Sequence, residues 1–182
     1  MSTADLNQYL TFYLAGEEYA IPVLKVIEIL EYNIITKVPS TPAWIRGVLN
    51  LRGAVVPVVD LAAKLGMPPT EIAPRTAIVI VEVPVDGERL VMGFIADSVH
   101  QVAEIGAAGI QAVPAFGPKV RIDYLAGMSR NGDRFVLILD IDRILSAQEI
   151  LAVSAAVEDP APAEAVAFVA ATQSRLEEQP AS

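Results

Sequence analysis

Cysteine is absent from the 182 residues, and histidine and tryptophan each occur once. The first absence removes disulfides, thiolate nucleophiles and zinc–thiolate centres together, and it agrees with a reducing compartment. Cations are scarce as well: 13 Lys and Arg stand against 22 Asp and Glu, a formal net charge of −9. Such a chain matches a phosphate backbone or an anionic lipid surface poorly, so nucleic acid is not an expected partner. No apolar run approaches the roughly 20 residues of a membrane helix. The start MSTADLNQ lacks the basic and apolar regions of a secretory signal. A soluble, cytoplasmic protein is expected.

What is present is apolar. Hydrophobic residues make up 53% of the chain, enough for a folded protein with one good core or two small ones. Short strands with turn punctuation dominate the pattern. Gln8–Ala15 and Glu18–Ile21 read as a strand pair joined at Gly16-Glu17, and Val23–Tyr32 reads as one helical turn followed by a strand. On that strand Ile27 and Ile29 share one face, with Glu28 on the other beside Val26 and Leu30. Thr41 is expected to cap a short helical turn that opens on Pro42 and stops at Gly47.

Met67–Pro74 is a connector, after which Thr76–Val83 and Leu90–Ile105 flank a two-residue hairpin signal, Asp86-Gly87. Gly109–Val113, Tyr124–Met128 and Arg134–Ile141 follow, the last turning at Asn131-Gly132. Many short strands and few long helices imply barrels or a sandwich. A weak echo between VVPVVDLAAKL and VLILDIDRIL hints at two similar units, each running from a strand through aspartate into a short helix.

Chemistry is thin. Asp97, Ser98 and His100 lie close in sequence, but strand alternation turns Asp97 away from the other two, so a hydrolytic triad is a weak reading. Asp140 and Asp142 are spaced to share a strand face; without a calcium-loop pattern or a histidine partner, capping of the next helix is the better reading. No glycine-rich phosphate loop occurs. Trp44 is expected to be a packed anchor.

NLRGAVVPVVDL, residues 50–61, poses the sharpest question. It reads as a hairpin with Gly53 left-handed at the bend, Pro57 at an edge or bulge, and Asp60 capping Leu61–Leu65 before Gly66. Nothing local explains Arg52.

In order, EEYAIPVLKVIEI, TPAWIRGV, NLRGAVVPVVDL and GDRFVLILDIDRIL resemble the CheW-like domain family of chemotaxis coupling proteins, over about Gln8–Ile150. The resemblance implies a mainly β fold: two SH3-like five-stranded β-barrels side by side with short helices, over residues 7–150. It implies an adaptor with no enzymatic activity and no cofactor or metal. Its partners would be the regulatory domain of the histidine kinase CheA and the cytoplasmic tips of methyl-accepting chemoreceptors, in membrane-associated arrays.

Receptor-binding positions carried over from the family are Glu28, Gly47, Arg52, Ala77, Gly93 and Val99, in a groove between the barrels. Glu28 and Arg52 are expected to pair. Gly47 and Gly93 would either admit a helical partner or merely satisfy backbone geometry. Ala77 stands where valine is common in the family. Kinase-binding positions are Leu10, Val23 and Val26, on the first barrel.

Residues 151–182 form an Ala/Pro/Glu-rich tail without an obvious counterpart in short family members. A weakly amphipathic helix over Ala163–Glu178 competes there with a solvated, mobile state, which the composition favours. From other classes, a small-molecule-binding β-barrel sensor and a hydrolase using His100 stay open at this level.

Overall fold

In the computed structural model, which describes residues 8–33, 35–39, 41–85, 87–114, 122–144 and 149, short strands alternate with tight turns. Strands β1 (Gln8–Leu14) and β2 (Glu17–Pro22) form a hairpin, and a 3₁₀ turn at Val23–Lys25 leads into β3 (Val26–Glu31). Strands β4 (Ile45–Leu51) and β5 (Ala54–Val59) and helix α1 (Leu61–Lys64) complete a first set. The second set repeats the first. It comprises β6 (Ala77–Val85), β7 (Glu88–Ala96), β8 (Ser98–Glu104), β9 (Ile110–Gln111), β10 (Leu125–Asn131), β11 (Arg134–Leu139) and helix α2 (Ile141–Ile144).

Pairing exchanges the leading hairpins of the two sets. β6 and β7 complete a five-stranded sheet, β3-β6-β7-β5-β4, while β1 and β2 complete a six-stranded sheet, β8-β1-β2-β11-β10-β9. The fold is mainly β in two sheets, consistent with SH3-like barrels. Each sheet has one parallel contact, β5 with β7 and β11 with β2. Bulges fall at Ile45/Gly47 and at Leu125/Gly127. The Asp60 amide donates to the Trp44 carbonyl at 2.7 Å, and the Asp140 amide to the Tyr124 carbonyl at 2.9 Å. The faint sequence echo is therefore the legible part of a structural repeat. Trp44 and Tyr124, equivalent in that repeat, both face the Lys64 ammonium, at 4.7 and 6.0 Å, and Lys64 also binds Glu149.

Strand alternation sorts most of the buried apolar residues into three clusters, with a small fourth at Val38 and Val48. The largest core lies between the sheets, where Phe12, Leu14 and Tyr19 meet Val79, Val81 and Phe94, with Leu61 and Ile144 from the two helices. The Phe12 ring sits 5.1 Å from Phe94. A second cluster, Val56, Val58, Ile78, Ile80 and Ile95, fills the five-stranded sheet's concavity. Ala20, Ile105, Val136 and Ile138 fill the other. Separating the sheets would expose the main core, so the two halves are expected to unfold together.

Tyr19 brings a titratable group into that core. Burial, aided by the nearby Glu17 carboxylate, pushes its phenol up to about 12. An unfolded tyrosine ionises near 10, so the unfolded state alone loses its proton first, and stability falls as pH rises from about 10 to 12. The loss expected is roughly 2–3 kcal/mol. Denaturant melts of wild type and Tyr19→Phe across this range check it: the variant should keep a flatter profile, and parallel profiles would assign the alkaline loss elsewhere.

Several local expectations need correction. The first turn is Ala15-Gly16, both at positive φ, with Glu17 already in β2. Thr41 caps no helix; its hydroxyl donates to the Val38 carbonyl, and Gly47 lies within β4. Leu90–Ile105 is not one strand. The chain changes sheets at Asp97, whose amide donates to the Tyr13 carbonyl and whose carboxylate accepts from the Ala15 amide at 2.8 Å.

Pro57 lies in an inner strand, but β5 pairs with β7 only at Val58 and Val59, so the proline precedes that second ladder and denies it no donor. The helical turn before β3, the Asp60 cap and the left-handed Gly53 are as expected. The tail 151–182 lies outside the described residues.

Candidate functional site

The hairpin that opened the question is a turn with both central residues left-handed, Arg52 at φ 52° and Gly53 at φ 88°. This matches the twist of the flanking strands, and the Asn50 side chain accepts the Gly53 amide at 2.8 Å. A non-glycine residue in that conformation costs roughly 1–2 kcal/mol. Arg52 recovers part of it through Glu28, whose carboxylate lies 2.8 Å from the guanidinium, with side chains 71% and 24% exposed for Arg52 and Glu28. An ion pair this open contributes ~0–1 kcal/mol. Conformational cost thus equals or exceeds electrostatic gain, and stability alone does not account for arginine at this position.

Register sets Glu28 in line with two other expected positions. Glu28 pairs with Ile80, Ile80 with Gly93, Gly93 with Val58, and Val58 with Gly47, one row crossing all strands of the five-stranded sheet. Three expected positions therefore share a row, but the glycines in it serve packing. A Cβ on Gly47 would fall 2.2 Å from the Thr36 carbonyl oxygen, and one on Gly93 would fall 2.9 Å from an Ile78 methyl. The chain's own atoms already fill both sites, so neither glycine opens a path for a helical partner.

Ala77 and Val99 line a different feature, a groove of about 440 Å³ between the sheets. Its walls are Ile29, Leu30 and Glu31 of β3 and Ser98, Val99 and His100 of β8, with Tyr13, Ala77 and Arg75 also lining it. Both wall strands end their sheets' order. Edge strands with unpaired backbone groups and apolar side chains are surfaces on which another chain docks. Next to the groove, Ile27 is 46% and Ile29 44% exposed, and Leu24 on the preceding 3₁₀ turn is 75% exposed. Alternation in the sequence already separated the two isoleucines from Glu28; only the structure singles out Leu24.

The kinase-contact positions divide. Leu10 is a core side chain of β1 in the six-stranded sheet, whereas Val26 belongs to β3 in the other sheet and Val23 to the turn between them. They do not lie on one barrel, because the leading hairpin is exchanged. Val23 and Val26 keep partly accessible side chains, and Leu10 has almost none.

No reacting centre assembles among these residues. His100 packs edge-on against Tyr13, ring centroids 5.6 Å apart, while the Asp97 carboxylate is committed to the Ala15 amide. Asp140 caps α2 through the Asp142 amide and pairs with Arg143, and Asp142 pairs with Lys25. The filled concavities described above also disfavour a ligand-enclosing barrel. Among the described residues, no helix is long and apolar enough to cross a membrane.

Comparison with known proteins agrees with this geometry. A family model described as the CheW-like domain matches residues 8–149. The chemotaxis protein CheW of Klebsiella aerogenes is 35% identical over 144 residues, covering 79% of this chain and 84% of that protein. Protein FrzA of Myxococcus xanthus is 29% identical over 140 residues, covering 76% and 85% respectively. The crystal structure of scaffolding protein TtCheW from Thermoanaerobacter tengcongensis matches with a TM-score of 0.71 at 29% identity, over 80% of this chain and 92% of that one. Two sheets sharing a core, walls that invite a protein and no assembled chemistry meet a match over most of the sequence: this chain belongs to the CheW-like domain family, a family of non-enzymatic chemotaxis scaffolds.

Proposed function

We infer that this chain couples chemoreceptor cytoplasmic tips to the regulatory domain of a CheA-type histidine kinase, and that it is recruited to membrane-associated arrays by those contacts. The receptor tip docks along the groove at the Ile29–Glu31 end of β3, with Ala77 and Val99 inside it and the Glu28–Arg52 pair beside it. The kinase contacts the apolar turn at Val23 and neighbouring Val26. Gly47 and Gly93 support the receptor site from within the sheet, and Leu10 supports the kinase site from the core.

The observation that carries this reading is Arg52: a strained, exposed arginine whose ion pair does not offset its backbone cost. Holding both partners requires no chemistry, only two separate surfaces on one rigid body, and repeated weak contacts in an array raise effective concentration.

Receptor recruitment by Glu28→Lys, Arg52→Glu and the double variant tests the site. Each single change should weaken recruitment about tenfold, and the double should recover part of it, as expected for a coupled charge pair at an interface. Arg52→Gly separates function from folding: it should leave Tm unchanged or slightly higher while recruitment falls. Full recruitment by both single variants, or a Tm loss that tracks the recruitment loss, would remove Arg52 from the interface.

A further inference from the structure

We propose that Arg75 selects the partner at the groove by receiving a carboxylate carried on the docked tip. This rests on the adaptor reading above and adds to it a residue and a partner chemistry. Arg46, Arg52, Arg89 and Arg143 each pair with a carboxylate of this chain, and Arg130 donates to the Gly132 carbonyl. Among the described residues Arg75 and Arg134 make no such contact, and of these two Arg75 lines the groove. Glu31, which also lines the groove, is likewise uncommitted.

The backbone that carries Arg75 is fixed on both sides. Pro74, immediately before Arg75, has its own φ fixed by the ring. Thr76 closes the turn, its amide donating to the Ala73 carbonyl at 3.0 Å and its hydroxyl accepting the Ala73 amide at 2.8 Å. The Thr76 carbonyl then accepts the Tyr32 amide at 3.1 Å, tying the turn to the end of β3. Arg75 is therefore an exposed cation with free donors on an ordered mount, in a groove lined by both polar and apolar side chains.

Charge decides the partner. With a net charge of −9, the molecule as a whole repels acidic surfaces. A local cation that accepts a carboxylate, with Glu31 on the adjoining strand, opposite Ala77, rejecting a second one, discriminates between tips by the position of their acid. A guanidinium also binds carboxylate in a planar, two-pronged geometry that an ammonium does not reproduce.

The test measures binding of a soluble chemoreceptor tip fragment to the full chain and to Arg75→Lys, Arg75→Gln and Arg75→Glu, at two ionic strengths. Kinase-domain binding and Tm serve as controls. Arg75→Gln should weaken tip binding several-fold and flatten its salt dependence, Arg75→Glu should weaken it tenfold or more, and Arg75→Lys should fall between wild type and Arg75→Gln. Kinase binding and Tm should not move. Replacing one acidic residue of the tip by lysine should restore binding to Arg75→Glu. Equal tip affinity and equal salt dependence in all four proteins would overturn the role of Arg75 and leave the adaptor reading standing; failure of the wild type to bind any tip would overturn both.

Discussion

Asp60→Ala is expected to lower unfolding free energy by about 3–5 kcal/mol, the range for breaking a buried ion pair from one side. Asp60 is 1% exposed. One carboxylate oxygen accepts the Ala63 amide at 3.2 Å, capping α1, and the other accepts the Arg46 guanidinium and the Thr70 amide, each at 3.0 Å. The Thr70 hydroxyl adds a longer bond at 3.3 Å.

Four donors from three segments converge on this group: α1, β4 and the connector after Met67. Alanine would leave them without an acceptor and strand the Arg46 charge, which also donates to the Thr70 carbonyl. Tm should fall by roughly 10 °C. Asp60→Asn keeps the shape and the cap but turns an amide donor toward other donors, so it should recover only part of the loss. A melt for Asp60→Ala within 2 °C or so of wild type would show that the cluster is not a structural lock.

Gly47→Ala is expected to cost about 3–5 kcal/mol through a different mechanism, overpacking against backbone combined with left-handed strain. The added methyl would meet the Thr36 carbonyl oxygen at 2.2 Å and an Ile35 methyl at 2.7 Å, at a φ of 148°. A side chain could swing away; a backbone carbonyl moves only if the Thr36–Val48 bridge, with bonds of 2.9 and 2.8 Å, opens as well.

Loss of receptor recruitment in Gly47→Ala should therefore accompany a lower Tm, in contrast to Arg52→Gly. A Gly47→Ala protein with wild-type stability and no recruitment would return Gly47 to the contact surface. The equivalent glycine of the second set, Gly127, is similarly crowded: a Cβ there would fall 2.6 Å from an Ile110 methyl.

Much of the strand inventory was legible because two-residue alternation and turn residues are local signals. The 3₁₀ turn before β3, the separation of Ile27 and Ile29 from Glu28, and the Asp60 cap all followed from neighbours within a few positions. What was not legible depends on distant partners. The break at Asp97 comes from hydrogen bonds to Tyr13 and Ala15, and the crowding at Gly47 from Thr36. Leu10, carried over from the family as a contact position or else core, is core, and no local signal announces that β1 and β2 cross into the other sheet.

The candidate site shows the same division. Family resemblance supplied Glu28 and Arg52, and the left-handed arginine that makes the pair informative is a property of the folded turn. Arg75 and Leu24 carried no sequence signal at all; one emerges from its free donors beside a groove, the other from its exposure.

The most direct test of the account is sedimentation of purified chain with a kinase regulatory domain and a receptor tip fragment, pairwise and together. Binary complexes with each partner and a larger ternary complex containing all three are the predicted result, since the kinase contacts sit at Val23 and Val26, where β3 starts, and the groove at its Ile29–Glu31 end. Mutually exclusive binding, or binding to neither partner, would contradict it.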